Sequence, residues 1–194
     1  MIRLKKDMDF VGIIVGIIIG VVFGFFIQDK VNIVNSKEVS SEEKTYLLHV
    51  GEYEGLDGVM NMQSTLQENG IPNTVVYEND TFNVYCGIAL NNEFESILVL
   101  LDYSEIPYVL KSRFLYNYIS DYSENELVFW EEGLSYYMKS LNNEDFTLSE
   151  SFKELKNLNI EFYRDLSYLQ DVQEEELLDR IRLDTFKLLV ENRG

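Results

Sequence analysis

From Phe10 to Ile27 the chain runs eighteen residues without a charged, polar or proline side chain, and Arg3, Lys5 and Lys6 stand just before it. Roughly 20 residues at 1.5 Å rise cross a hydrocarbon core of about 30 Å, so the run is just long enough for a membrane-spanning helix. Cationic residues beside such a helix stay on the cytoplasmic side, which predicts a cytoplasmic stub over 1–9, a single-pass span over 10–27 and an extracytoplasmic remainder. A cleaved signal peptide is the first alternative, but it would have a shorter apolar region and small residues at its cleavage site. The run instead ends Phe23-Gly24-Phe25-Phe26-Ile27-Gln28. A buried core helix is the second, and it would rarely lack a polar face over about five turns.

Within the run, Gly12, Gly16, Gly20 and Gly24 recur at intervals of four. Such positions lie nearly on one helix face and form a shallow groove, along which a second copy of the helix could approach to make a homodimer. Glycine is also simply common in membrane helices, so the spacing has an incidental reading as well.

The whole chain carries a net charge of −18 at pH 7. A surface of that sign repels phosphate backbones and anionic headgroups, which argues against nucleic-acid binding and peripheral membrane attachment. The single cysteine, Cys86, rules out an intramolecular disulfide, so the part beyond the span folds on its core alone. Thirteen tyrosines and twelve phenylalanines supply that core.

Residues 28–44 are polar and rich in Ser, Glu and Lys, as in a tether, whose extended reach at about 3.3–3.6 Å per residue is roughly 60 Å. Residues 45–114 alternate strand-like and helix-like patterns. Thr45 to Gly51 is β-prone, and Leu56 to Asn69 carries Val59, Met60, Met62 and Leu66 at helical intervals before Gly70. Asn73–Glu78 and Phe82–Ala89 flank Asn79-Asp80-Thr81, a hairpin signal. Asn92–Tyr103 reads as a second helix and Ile106–Phe114 as a last strand. The order β-α-β-β-α-β predicts an α+β fold with a four-stranded antiparallel sheet and both helices on one face.

These residues resemble a SPOR domain, the sporulation-related repeat of bacterial cell-division and sporulation proteins. The first strand of that family commonly runs aromatic, apolar, apolar, Gln, apolar, Gly, small, Phe, and here it is Tyr46-Leu47-Leu48-His49-Val50-Gly51-Glu52-Tyr53. Leu66, Gly70 and Ile71 match its middle, and Asn83-Val84-Tyr85-Cys86-Gly87-Ile88-Ala89 stands where the family has a pattern like Arg-Val-x-Val-Gly-Pro-Phe. His49 thus replaces Gln, Asn83 replaces Arg, and Ile88-Ala89 replace Pro-Phe. The resemblance implies the same β-α-β-β-α-β sheet, binding of peptidoglycan glycan strands that lack stem peptides, localisation to division or sporulation septa, and division or sporulation proteins as partners.

Period-two alternation turns Tyr46, Leu48, Val50, Phe82, Val84 and Cys86 toward the helices. It turns Leu47, His49, Gly51, Asn83, Tyr85 and Gly87 away from them. His49, Asn83 and Tyr85, with Tyr53 at the rim, would then offer an aromatic plate and hydrogen-bonding groups to a neutral glycan. The same residues could equally solvate the sheet or lie under the C-terminal region.

Residues 115–194 read as helical. Leu127, Trp130, Leu134, Tyr137, Met138 and Leu141 form one stripe over 124–141. Thr147-Leu148-Ser149-Glu150 resembles a capping box opening a second stripe through Phe152, Leu155, Leu158, Phe162, Leu166 and Leu169. Residues 174–192 supply a third through Leu177, Leu178, Ile181, Thr185, Leu188 and Leu189. Three such stripes predict a three-helix appendage packed on itself or on the sheet, or else a helix that binds a partner.

One His and one Cys allow no Cys/His metal cluster, and no phosphate loop or nucleophile elbow occurs, so neither enzyme chemistry, a cofactor nor a metal is expected. Glu131-Glu132 beside Trp130 are adjacent on a helix and diverge by about 100°, which suits an acidic helix face better than a glycosidase pair. Two functions remain: a membrane-anchored glycan-binding protein, or a scaffold of the cell envelope working through protein–protein contacts.

Overall fold

A computed structural model describes residues 44–91 and 94–192. Strand β1 (Lys44–Tyr53) is followed by helix α1 (Leu56–Glu68), strands β2 (Thr74–Glu78) and β3 (Thr81–Ala89), helix α2 (Glu95–Tyr103) and strand β4 (Val109–Phe114). A short 3₁₀ turn (Leu115–Tyr118) leads into α3 (Glu124–Leu141), α4 (Glu150–Glu154), α5 (Ile160–Asp171) and α6 (Glu175–Glu191). The strands form one antiparallel sheet in the order β2-β3-β1-β4.

Local chemistry explains the turns. Asn79 and Asp80 both take left-handed backbone (φ 54° and 63°), the two-residue turn whose twist matches a tight hairpin. Helix α1 ends in Asn69-Gly70, with Gly70 at φ 68° and its N–H donating to Gln67 O at 3.1 Å. The Ile71 N–H then reaches Leu66 O at 2.9 Å, a Schellman stop that lays Ile71 on Leu66 in the core. Helices α2 and α3 stop the same way, but with Glu105 (φ 53°) and Asn143 (φ 54°) in the left-handed position.

Apolar clusters fill both faces of the sheet. Leu48, Val50, Val84 and Cys86 pack under α1 and α2 with Val59, Leu66, Ile97 and Leu101. Leu47, Val76, Tyr85 and Ile88 on the opposite face join the aromatic residues of α3 to α6 in one core. Phe186 of α6 sets its ring edge-on to Tyr85 at 5.6 Å and to Tyr118 at 6.2 Å.

The expected fold is corrected on this evidence. Among the described residues no helix is long and apolar enough to cross a membrane. The longest, α3, carries Glu124, Glu126, Glu131, Glu132 and Lys139 on its polar side, as an amphipathic core helix does. The expected span at 10–27, with Gly12, Gly16, Gly20 and Gly24, lies outside the described residues, as does the tether up to residue 43. The described body is a mixed α+β unit of one four-stranded sheet and six α-helices, and helices cover both faces of the sheet instead of one.

The C-terminal region also departs in detail. Its second stripe is broken between α4 and α5, and the caps are Ser149, accepting from Phe152 N–H at 3.0 Å, and Asn159, accepting from Phe162 N–H at 2.9 Å. Thr147 is therefore not the cap.

Candidate functional site: a polar trough on the second face of the sheet

Strands β1 and β3 are in direct register at Leu48↔Gly87, at His49↔Tyr85 and at Gly51↔Val84. Cys86 and Val50 are the residues left over, so each strand carries a bulge and the two bulges bracket the His49–Tyr85 pair. The consequence is a change of face. Gly51 and Gly87 turn toward the helices, where an added Cβ at Gly87 would meet Phe94 at 3.0 Å. Glu52, opposite Asn83, comes to the side of His49.

The bulges also decide where Tyr53 goes. Its ring lies across Gly51 and Gly58, where an added Cβ would meet Tyr53 Oη or Cδ1 at 2.5 Å. Tyr53 packs with the α1–α2 cluster and is not at the rim of the other face.

His49, Asn83 and Tyr85 do share the second face, but they are 7%, 5% and 1% exposed. His49 Nε2 lies 3.1 Å from Asn83 Oδ1, and Lys111 Nζ donates to the same oxygen at 3.4 Å. Because that oxygen only accepts, His49 is the Nε2–H tautomer. Asn83 Nδ2 donates to the Thr81 hydroxyl at 3.2 Å, and this hydroxyl donates to Glu52 Oε1 at 3.1 Å. Arg113 meets Glu78 at 3.7 Å.

Electrostatics follow from this packing. Burial, and then the positive charge of Lys111, hold the His49 imidazole below its ordinary value, so it is neutral at pH 7. Burial pushes the Tyr85 phenol up to about 12, against the opposing effect of the Arg113 guanidinium. His49, Asn83, Thr81, Glu52 and Lys111 are thus linked to one another, while the buried Tyr85 and Thr45 hydroxyls have no hydrogen-bond partner among the described residues. A ligand could take the Asn83 oxygen only in competition with His49 and Lys111, and Tyr85 lies against Phe186.

Sequence reasoning found three members of this group and missed Glu52, Glu78, Thr81, Lys111 and Arg113. Lys111 and Arg113 alternate on β4 and could have been placed on one face. Which face, and opposite what, depends on the register of β4 with β1, Lys111 opposite Leu47 and Arg113 opposite Thr45.

The remaining acidic candidates have structural partners. Glu131 accepts from the Tyr116 hydroxyl at 3.1 Å, and Glu132 accepts from Tyr136 at 2.8 Å and Ser149 at 2.6 Å. Among the described residues no group of three His, Cys, Asp or Glu is arranged to hold a metal ion. Two polar clefts open elsewhere, one of about 470 Å³ between Gln63, Asn73, Arg180 and Asp184, the other of about 610 Å³ beside Phe94, Asn142 and Arg182. Exposed large apolar side chains gather on α2 and the start of β4.

No protein-family model matches the chain, and neither a curated protein nor a solved structure does.

Proposed function

We propose that this chain is a scaffold that works through protein–protein contacts and does not read glycan on its sheet. The burial of His49, Asn83 and Tyr85 under Lys111, Arg113 and Phe186 carries this reading, because a pyranose needs an exposed aromatic plate and free hydrogen-bonding groups. Exposed apolar side chains on α2 and β4 support it from the other side, since exposed apolar clusters rimmed by polar groups mark interaction surfaces.

A second reading, the SPOR-like glycan binder, is favoured by the element order β-α-β-β-α-β over residues 44–114. One experiment separates the two. The full chain is mixed with peptidoglycan sacculi, either untreated or amidase-treated to enrich denuded glycan, and retention is compared with that of His49→Ala and Tyr85→Ala. The scaffold reading expects no retention on either material. Selective retention on denuded glycan that both substitutions abolish would overturn it in favour of the glycan binder.

A further inference from the structure

We infer that Asn69-Gly70 is a self-modification site held shut by the stop of α1, at which Asn69 exchanges its side-chain amide for a carboxylate when that stop opens to water.

Of the asparagines in the chain, only Asn69 is followed by glycine. Such a pair can close a cyclic imide on itself, because no Cβ shields the amide nitrogen that attacks. Solvent base takes the proton of the Gly70 N–H, the nitrogen bonds to Asn69 Cγ, and the Cγ–Nδ2 bond breaks as ammonia leaves. Water then opens the ring at either carbonyl. The product at position 69 is aspartate, or isoaspartate with the main chain rerouted through the side-chain carbons.

In the folded chain each reacting group is already engaged. The nucleophile is occupied, since the Gly70 N–H donates to Gln67 O at 3.1 Å. The leaving group is held as well, with Asn69 Nδ2 donating to Thr65 O at 2.8 Å. Ring closure needs the Gly70 nitrogen eclipsed with the Asn69 Cβ, but a ψ of 7° eclipses it with the Asn69 nitrogen instead. That torsion cannot turn while the Ile71 N–H reaches Leu66 O at 2.9 Å and both side chains stay in the core. Helix ends are among the first parts of a fold to open, and Gly70 is exposed, so water meets the pair as soon as the stop is released.

The product does not rebuild the stop. Aspartate has no side-chain N–H to offer the Thr65 carbonyl. Its carboxylate would follow Glu68 directly, at the negative end of a helix whose last turn holds no basic residue. Isoaspartate also lengthens the main chain between Leu66 and Ile71, whose contact closes the motif. A passing opening of α1 is thereby made permanent.

Helix α3 provides an internal contrast. Its stop has the same backbone, with Asn142 at φ −94° and ψ 8° and the Asn143 N–H donating to Ser140 O at 3.1 Å, but Asn143 carries a Cβ.

The test incubates the full chain at mildly alkaline pH, in native buffer and in denaturing urea. Peptides spanning Asn69 and Asn142 are followed by mass, and their isoaspartate forms are separated by chromatography. In urea the amide-to-acid mass gain is expected at Asn69 well before Asn142. Native buffer should slow the Asn69 reaction at least about tenfold, because only the opened fraction reacts. Ile71→Ala, which loosens the latch, should lose much of that protection. Wild type in urea just below its unfolding midpoint should do the same, which covers a variant that does not fold. Gly70→Ala should react at least about tenfold more slowly than wild type in urea. The modified chain, once isolated, should unfold at a lower urea midpoint and exchange its Ile71 amide hydrogen faster. No reaction in urea, equal rates in urea and native buffer, Asn142 reacting as fast as Asn69, Gly70→Ala reacting as fast as wild type, or a modified chain with unchanged midpoint and exchange would each overturn the inference.

Discussion

Arg113 on β4 and Glu78 on β2 meet at 3.7 Å although their strands are opposite edges of the sheet. Three inter-strand steps of about 4.8 Å would separate flat edges by about 14 Å. The pair meets because the side chains lean inward over a concave face, and the twist added by the two bulges beside His49 and Tyr85 favours that concavity. The bridge spans the same face on which Lys111 meets Asn83 and Phe186 covers Tyr85.

His49 gives this roof a pH signature. Its neighbours across the trough are Asn83, Glu52, Lys111 and Arg113, and burial with the Lys111 charge depresses its folded pKa below the unfolded value of 6.5. On acidification the unfolded chain binds the proton first, so the contribution of this group to stability is full above that value and is lost as pH falls through the folded pKa. His49→Gln should therefore lose less stability than the wild type between pH 7.5 and 5.5. Urea midpoints at the two pH values check it, and equal losses in both proteins would contradict a buried neutral imidazole.

Glu105 occupies the left-handed position that ends α2, where the equivalent residue of α1 is Gly70. An L side chain there costs about 1 kcal/mol more than glycine, and Glu105 is exposed, so nothing is lost from the core by removing it. Glu105→Gly is expected to raise stability by about 0.5–1 kcal/mol and Gly70→Ala to lower it by about 1 kcal/mol. The check is the denaturant midpoint at unchanged slope.

Gly133 on α3 lies directly against the Phe162 ring of α5 and near Phe152 of α4. Phe152 and Phe162 are both fully buried, so neither ring has room to withdraw. Gly133→Ala gains helix propensity yet should destabilise by about 1–3 kcal/mol through overpacking. A stabilised variant by thermal melting would mean that the two helices can slide apart at little cost.

The two faces of β1 and β3 were legible outside the bulges because successive strand side chains point to opposite sides, as Leu47 and Leu48 do and as Val84 and Tyr85 do. The bulges were not, since the extra Val50 and Cys86 are themselves apolar and leave no mark in the pattern. One residue too many turned Gly51 and Gly87 to the helices, sent Tyr53 to the core and brought Glu52 beside His49. The cover over Tyr85 was hidden for another reason. A stripe such as that of residues 174–192 states that it needs an apolar partner, but not that Tyr85 and Tyr118 will be that partner for Phe186.

Arg182 ties the last helix to the end of α3. Its guanidinium donates to the Ser140 carbonyl, to Ser140 Oγ at 3.2 Å and to Asn143 Oδ1 at 2.8 Å, and it pairs with Asp179 at 3.4 Å, all while only 8% exposed. The Ser140 carbonyl already accepts from the Asn143 N–H at 3.1 Å in the stop of α3, and the buried cation adds a second donor there while opposing the negative end of the helix dipole. Arg182→Ala would leave the Ser140 carbonyl and the Asp179 carboxylate without this partner, for an expected loss of about 3 kcal/mol. Arg182→Lys keeps the charge but not the planar fork, so it should recover only part of that loss. Urea unfolding of the two variants beside wild type decides the matter. If both lose the same amount, the geometry of the fork carries the junction, and if neither loses, the junction is held by the apolar packing around Tyr137 alone.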